Sequence, residues 1–150
     1  MLSFETINDE IKKAMLAKDK VRLEALRGIK KEFLEAKTAK DAADELSEET
    51  VIAILQKMVK QRKDSAQIYI EQGRNDLAEV EVEQYTVIQE YLPAQLSPEE
   101  LEAAIKKIIA DTNATSMKEM GKVMGVASKE LAGKTEGRLI SELVKKLLTP

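Results

Sequence analysis

The chain has no cysteine and no histidine among its 150 residues. The missing cysteine excludes disulfides, thiol nucleophiles and thiolate metal sites. The missing histidine removes the usual general base and the commonest metal ligand. Aromatics are scarce, with two Phe and three Tyr. Tyr69, Tyr85 and Tyr91 therefore read as core or interface residues rather than base-stacking platforms. No apolar run approaches the roughly 20 residues of a membrane span. The start, Met-Leu-Ser-Phe-Glu, lacks the basic and apolar regions of a signal peptide, so a soluble, cytoplasmic protein is expected. The formal charge of -3 at pH 7 argues neither for nor against nucleic acid, so distribution has to decide.

What is present is concentrated in the last third, from Met117 to Leu148. Four of the six glycines lie there, Gly121, Gly125, Gly133 and Gly137, with three of the six methionines. Seven Lys/Arg against four Glu give that stretch a charge of +3. Small residues spaced by four on a helix let another backbone approach closely. Basic side chains around such a surface can meet phosphate. A second basic stretch runs from Lys12 to Lys40, with ten Lys/Arg and four Asp/Glu. From Asn75 to Ile105 there is no Lys or Arg and there are eight acids, which would repel phosphate.

Apolar residues recur at helical spacing throughout, and no stretch alternates with period two. A first helix spans about 3–17 on Phe4, Ile7, Ile11, Ala14 and Met15, with Ser3 as N-cap. A second, Lys20 to Ala39, uses Val21, Leu23, Leu26, Ile29, Phe33 and Leu34. Asp41 to Ser47 reads as a loop, with Ser47 capping a long third helix, Glu48 to Gln72. Gly73 reads as its C′ residue and Asn75 as the next N-cap. A fourth helix, Asp76 to Leu92, uses Leu77, Val80, Val87, Ile88 and Tyr91. Pro93 stops it. Ser97-Pro-Glu-Glu100 is a capping box opening a fifth helix to Asp111. Ser116 with Glu119 reads as another, opening a sixth helix to Leu131. A seventh starts near Glu136 and carries Leu139, Ile140, Leu143, Val144 and Leu147. The expectation is an all-α protein with two lobes: a four-helix domain over 1–92, a linker over 93–96 and a three-helix domain over 97–150.

Gly133-Lys134-Thr135 matches the end of a phosphate-binding P-loop. The motif needs a glycine where this chain has Ser128, and a strand where a helix precedes, so a turn between helices is the better reading. Glu79, Glu81, Glu83 and Glu90 scatter round their helix as a solvated acidic face. Asn113-Ala-Thr115 matches a glycosylation acceptor but means nothing without a secretory signal. Lys57, Lys60, Arg62 and Lys63 form a basic cluster that is either a nucleic-acid footprint or a solvated helix surface. Composition alone favours the second.

The run Met120-Gly-Lys-Val-Met-Gly125, followed by Gly133-Lys-Thr-Glu-Gly-Arg-Leu-Ile140 and Leu143-Val144, resembles the tail domain of GatB. GatB is the B subunit of the tRNA-dependent amidotransferase. Upstream, Lys60-Gln-Arg-Lys-Asp-Ser65, Gly73-Arg-Asn-Asp-Leu-Ala78 and Glu90-Tyr-Leu-Pro-Ala-Gln-Leu96 are similar to the free-standing YqeY family, which has this tail without the rest of the subunit. Thr135-Glu136 stands where the family usually has Ala-Asp. The resemblance implies an all-helical fold of two lobes and a tail that contacts tRNA away from the chemistry. It also carries a family-level label of carbon-nitrogen ligase activity with glutamine as amido donor, although no residue here supports catalysis. On this basis the chain is expected to be an accessory module for tRNA or another structured RNA. Lys122, Lys129, Lys134 and Arg138 would bind, and Gly121, Gly125, Gly133 and Gly137 would shape the surface. Lys57, Lys60, Arg62 and Lys63 form a secondary cluster. No catalytic residue, cofactor, metal or membrane partner is expected. The alternative is a protein-interaction adaptor that docks on a translation-related partner through the Gly121/Gly125 surface.

Overall fold

The computed structural model describes residues 2–39 and 46–149. Among the described residues seven α-helices follow one another: α1 (Ile7–Leu16), α2 (Lys20–Ala39), α3 (Glu48–Glu71), α4 (Asn75–Glu90), α5 (Pro98–Asp111), α6 (Met120–Glu130) and α7 (Gly137–Leu148). A 3-10 turn, Met117–Glu119, leads into α6. No strand occurs among the described residues. Most of the loop expected from Asp41 to Ser47 lies outside them.

The helix ends show which local signals act as read. Ser47 Oγ accepts from the Thr50 N–H at 3.1 Å, with Glu48 and Glu49 in the first turn of α3. Gly73 closes the α3–α4 turn at φ 72°, a left-handed conformation that costs a Cβ-bearing residue strain. The Ser97 capping box is complete: Ser97 Oγ accepts from Glu100 N–H at 3.1 Å, and Glu100 Oε1 accepts from Ser97 N–H at 3.1 Å.

Other ends differ. Ser3 and Thr6 cap each other, the Ser3 N–H donating to Thr6 Oγ1 at 2.8 Å and the Thr6 N–H to Ser3 Oγ at 3.2 Å. They close a separate turn, so α1 begins only at Ile7. Asn75 is the first residue of α4 and not its cap; Arg74 holds the cap position and pairs with Asp76 at 3.2 Å. Ser116 makes no side-chain cap bond: the Glu119 N–H donates to the Ser116 carbonyl at 3.1 Å, the bond of a 3-10 turn, and Glu119 Oε2 accepts from the Thr115 N–H at 2.7 Å.

The helices form two compact units that divide between Leu92 and Pro93. In the first, Ile7, Leu26, Ile29, Phe33, Val51, Leu55 and Ile88 make the core, each with at most 1% exposure. In the second, Ile105, Val123, Ala127 and Val144 are fully buried, with Leu101, Ile108, Ile140 and Leu148 around them. Each such Leu, Ile, Val or Phe contributes about 1.5–3 kcal/mol relative to exposure. Residues 95–96 are tied to the second unit: Leu96 N–H donates to the Lys134 carbonyl at 2.9 Å and Gln95 Nε2 to the Gly133 carbonyl at 2.7 Å.

A polar joint holds α1, α2 and α4 of the first unit together. Arg22 Nη1 donates to Tyr91 Oη at 2.9 Å, its Nε lies 3.4 Å from Asp19, and its Nη2 pairs with Glu90. Tyr91 Oη in turn donates to Glu10 at 3.4 Å. The Glu90 hydrogen bond raises the Arg22 pKa, and burial raises that of Tyr91. Met15, Leu34, Val80 and Leu139, all expected on apolar stripes, end up in solvent. The inward places on α4 go to Ala78 and Gln84 as well as Val87 and Ile88.

Candidate nucleic-acid interface

On α6 the buried side is set by Val123 and Ala127. Lys122, Gly125 and Lys129 follow at spacings of three and four, which places them on the opposite face, and all three are exposed. Gly121 flanks them. A Cβ built on Gly121, Gly125 or Gly137 would meet nothing within 4 Å. The close helix approach expected of the Gly121/Gly125 pair is therefore absent. Within this chain these glycines leave a strip of bare helix between two lysines.

The basic residues are not equivalent. Lys122 Nζ donates to the Thr112 carbonyl at 2.8 Å, so its charge sits on the C-terminal carbonyls of α5. Lys129 lies in the last turn of α6, where its charge suits the helix dipole. Lys134 stands exposed in the turn between α6 and α7. Gly133 before it takes φ 77°, and this bend presents its own carbonyl to Gln95 and that of Lys134 to Leu96. Thr135 behind it is buried. Arg138 is the weak member. Its guanidinium lies 3.9 Å from both Glu136 and Glu142, so two carboxylates offset its charge. Glu136 also holds the N-cap position of α7, where a phosphate would otherwise find free N–H groups.

The secondary cluster divides. Lys57 and Lys60 are exposed on α3. Arg62 turns toward α4 and pairs with Glu81 at 3.3 Å, and Lys63 Nζ lies 5.6 Å from the Tyr85 ring centre. These four do not form one patch. Among the supposed solvated acids, Glu81 and Glu90 are arginine partners, while Glu79 and Glu83 are exposed. The pairings of Arg22 with Glu90 and Tyr91 and of Arg62 with Glu81 were invisible in the sequence, since these partners lie 19 to 69 residues away. No helix is long and apolar enough to cross a membrane among the described residues.

Comparison with known proteins fits this architecture. The model of the YqeY family, described as Yqey-like protein, matches residues 4–148. The protein named altered inheritance of mitochondria protein 41, mitochondrial, from Vanderwaltozyma polyspora is 33% identical over 111 residues, 70% of this chain and 57% of the relative. Its namesake from Kluyveromyces lactis is 31% identical over 107 residues, again 70% and 57%. That from Lachancea thermotolerans is 30% identical over 116 residues, 73% and 59%. The chain thus spans less than two thirds of the length of these relatives. Their names overturn the expectation of a cytoplasmic location, since each is designated mitochondrial. That expectation rested on the lack of an apolar leader, which does not distinguish one aqueous compartment from another. The motifs around Arg62, Gly73 and Tyr91 and the glycine-rich tail lie inside the matched region, and the chain belongs to the YqeY family.

Proposed function

We propose that this chain is a non-catalytic RNA-binding accessory module whose ligand is tRNA or another structured RNA, and whose kinship runs to the glutamine-dependent tRNA amidotransferase through its tail. The observation that supports it best is the exposed Lys122–Gly125–Lys129 face of α6, with Lys134 in the following turn. A glycine between lysines keeps bulk away from a phosphate backbone lying along the helix, and the lysines supply charge without base readout. Lys122 can release the Thr112 carbonyl to water when it turns to a phosphate, because both groups are exposed.

The test is a salt titration of tRNA affinity. Replacing Lys122, Lys129 and Lys134 together by Ala is expected to weaken binding at low salt and flatten its salt dependence by up to about three phosphate contacts. Arg138→Ala is expected to change the slope less than any of the three, because Glu136 and Glu142 already offset its charge. Coincident slopes for wild type and a folded triple variant would remove the RNA reading. The purified chain is also expected to show no glutaminase or tRNA-amidating turnover.

The adaptor reading draws on a different observation. Leu96, Pro98, Leu101, Leu139 and Leu143 line an apolar groove of about 400 Å³ between α5 and α7. Binding to a translation-related protein there would respond little to salt, which separates the two readings.

A further inference from the structure

We propose that a groove between α2 and α3 binds a small zwitterion, a free α-amino acid, with its carboxylate on Arg62 and Lys31 and its ammonium on Glu81 and Glu32. Gly28, Lys31 and Glu32 share one face of α2 through their spacing of three and four. Met58, Gln61, Arg62 and Ser65 share a face of α3 in the same way. With Glu81 of α4 they line a cavity of about 350 Å³, at the small end of the range for ligand sites.

Gly28 helps to keep the groove open. A Cβ there would stand 3.6 Å from Met58 Cε and 3.8 Å from Arg62 Nη2, so one methyl is tolerated and a longer side chain enters the space. Arg62 and Glu81 are half-buried, 28% and 20% exposed, where solvent screening is weaker than at the fully exposed pairs. Their contact is a single one at 3.3 Å, longer than a well-formed charged hydrogen bond of about 2.8 Å. Most of the guanidinium donors thus stay available to a carboxylate. Lys31, Glu32, Gln61 and Ser65 have no polar partner among the described residues.

The balance of charge selects the ligand class. Two cations and two carboxylates line the same space. A simple anion there would lie against Glu81 and Glu32, and a simple cation against Arg62 and Lys31. A molecule carrying both charges satisfies both sets, and Gln61 and Ser65 add neutral donors and acceptors. The site lies in the first unit and does not depend on the RNA reading of the second.

The experiment is an amide NMR titration of the whole chain with three probes: L-alanine, propionate and ethylamine. Alanine is expected to shift resonances around Gly28 and Ser65, and propionate and ethylamine, each with one charge, to do so at least about tenfold less well. Glu81→Gln and Arg62→Gln should each weaken alanine binding about tenfold or more. Gly28→Leu should abolish it, while Gly28→Ala retains it. Melting curves separate loss of binding from loss of fold, and Glu32→Gln, on an unpaired surface carboxylate, provides a second variant that should weaken binding while remaining folded. No shift with alanine up to its solubility limit would overturn the proposal. So would inorganic phosphate or propionate matching alanine, since the groove would then be an anion patch.

Discussion

At single residues, glycine shows how one side-chain type carries opposite meanings. Gly125 lies inside α6 with open space where its Cβ would be, and Gly73 sits at φ 72° in the α3–α4 turn. Gly125→Ala is expected to stabilise the protein by up to about 1 kcal/mol, through helix propensity and a less flexible unfolded chain. Gly73→Ala should destabilise by about 1–2 kcal/mol, because L-residues are strained in the left-handed region. Thermal melts of the two variants should move in opposite directions; a fall for Gly125→Ala would mean that α6 has a packing partner after all. The sequence exposes a glycine's position but not its surroundings. Spacing by four made Gly121 and Gly125 look like a packing surface, and Gly28, which borders a real groove, stood out by nothing. Lys122 was legible as a basic residue, whereas its bond to the Thr112 carbonyl depends on how α6 meets the end of α5.

Among the helices, local signals were legible where both halves of the signal lie within one turn. The Ser97–Glu100 box is such a case, and it makes two predictions. Ser97→Ala should cost about 1 kcal/mol by freeing the N–H that the Ser97 hydroxyl now holds. The Glu100 carboxyl is held below its usual pKa, first by the Ser97 backbone N–H and then by its side chain. A depressed folded-state value means that this contribution is full above the unfolded carboxylate range and is lost as pH falls below that range through the lower folded-state value. The cost of Glu100→Gln should therefore be visible near neutrality and shrink in acid. Melts at neutral and acidic pH check it; a penalty independent of pH would show that the carboxylate charge plays no part. Ser116–Glu119 has the same spacing but makes no side-chain cap, and Glu119 bonds the Thr115 N–H instead. The extent of α2 followed from its apolar stripe and runs over the expected residues, whereas α1 begins at Ile7, after the stripe residue Phe4. Stripe membership was less secure. Val80 and Leu139 lie at apolar positions but are 49% and 39% exposed, since a stripe is buried only as far as a neighbouring helix covers it.

For the whole molecule, the separation into two cores is the property with the widest consequence. The buried side chains of α1–α4 and of α5–α7 form distinct clusters. The second belongs to a unit of only 58 residues, Pro93 to Pro150, in the size range where a single core is marginal. Pro93 and the Ser97–Pro98 helix start marked the expected boundary in the sequence. The bonds of Gln95 and Leu96 to the Gly133–Lys134 turn did not, because they join segments 38 residues apart. Ile105 is fully buried in the second core, and Ile105→Ala should cost about 2–5 kcal/mol there by leaving a cavity. Phe33 has the same place in the first core, with an expected cost of about 3–5 kcal/mol for Phe33→Ala. If each unit opens on its own core, amide exchange will resolve the two variants. Ile105→Ala should speed exchange in α5–α7 and leave α2–α4 protected, and Phe33→Ala should do the reverse. The proposed RNA face is on α6 and the proposed zwitterion groove on α2 and α3, so the same pair of variants should separate the two proposed binding activities. Equal loss of protection in both units from either substitution would instead mean that the chain unfolds as one cooperative body.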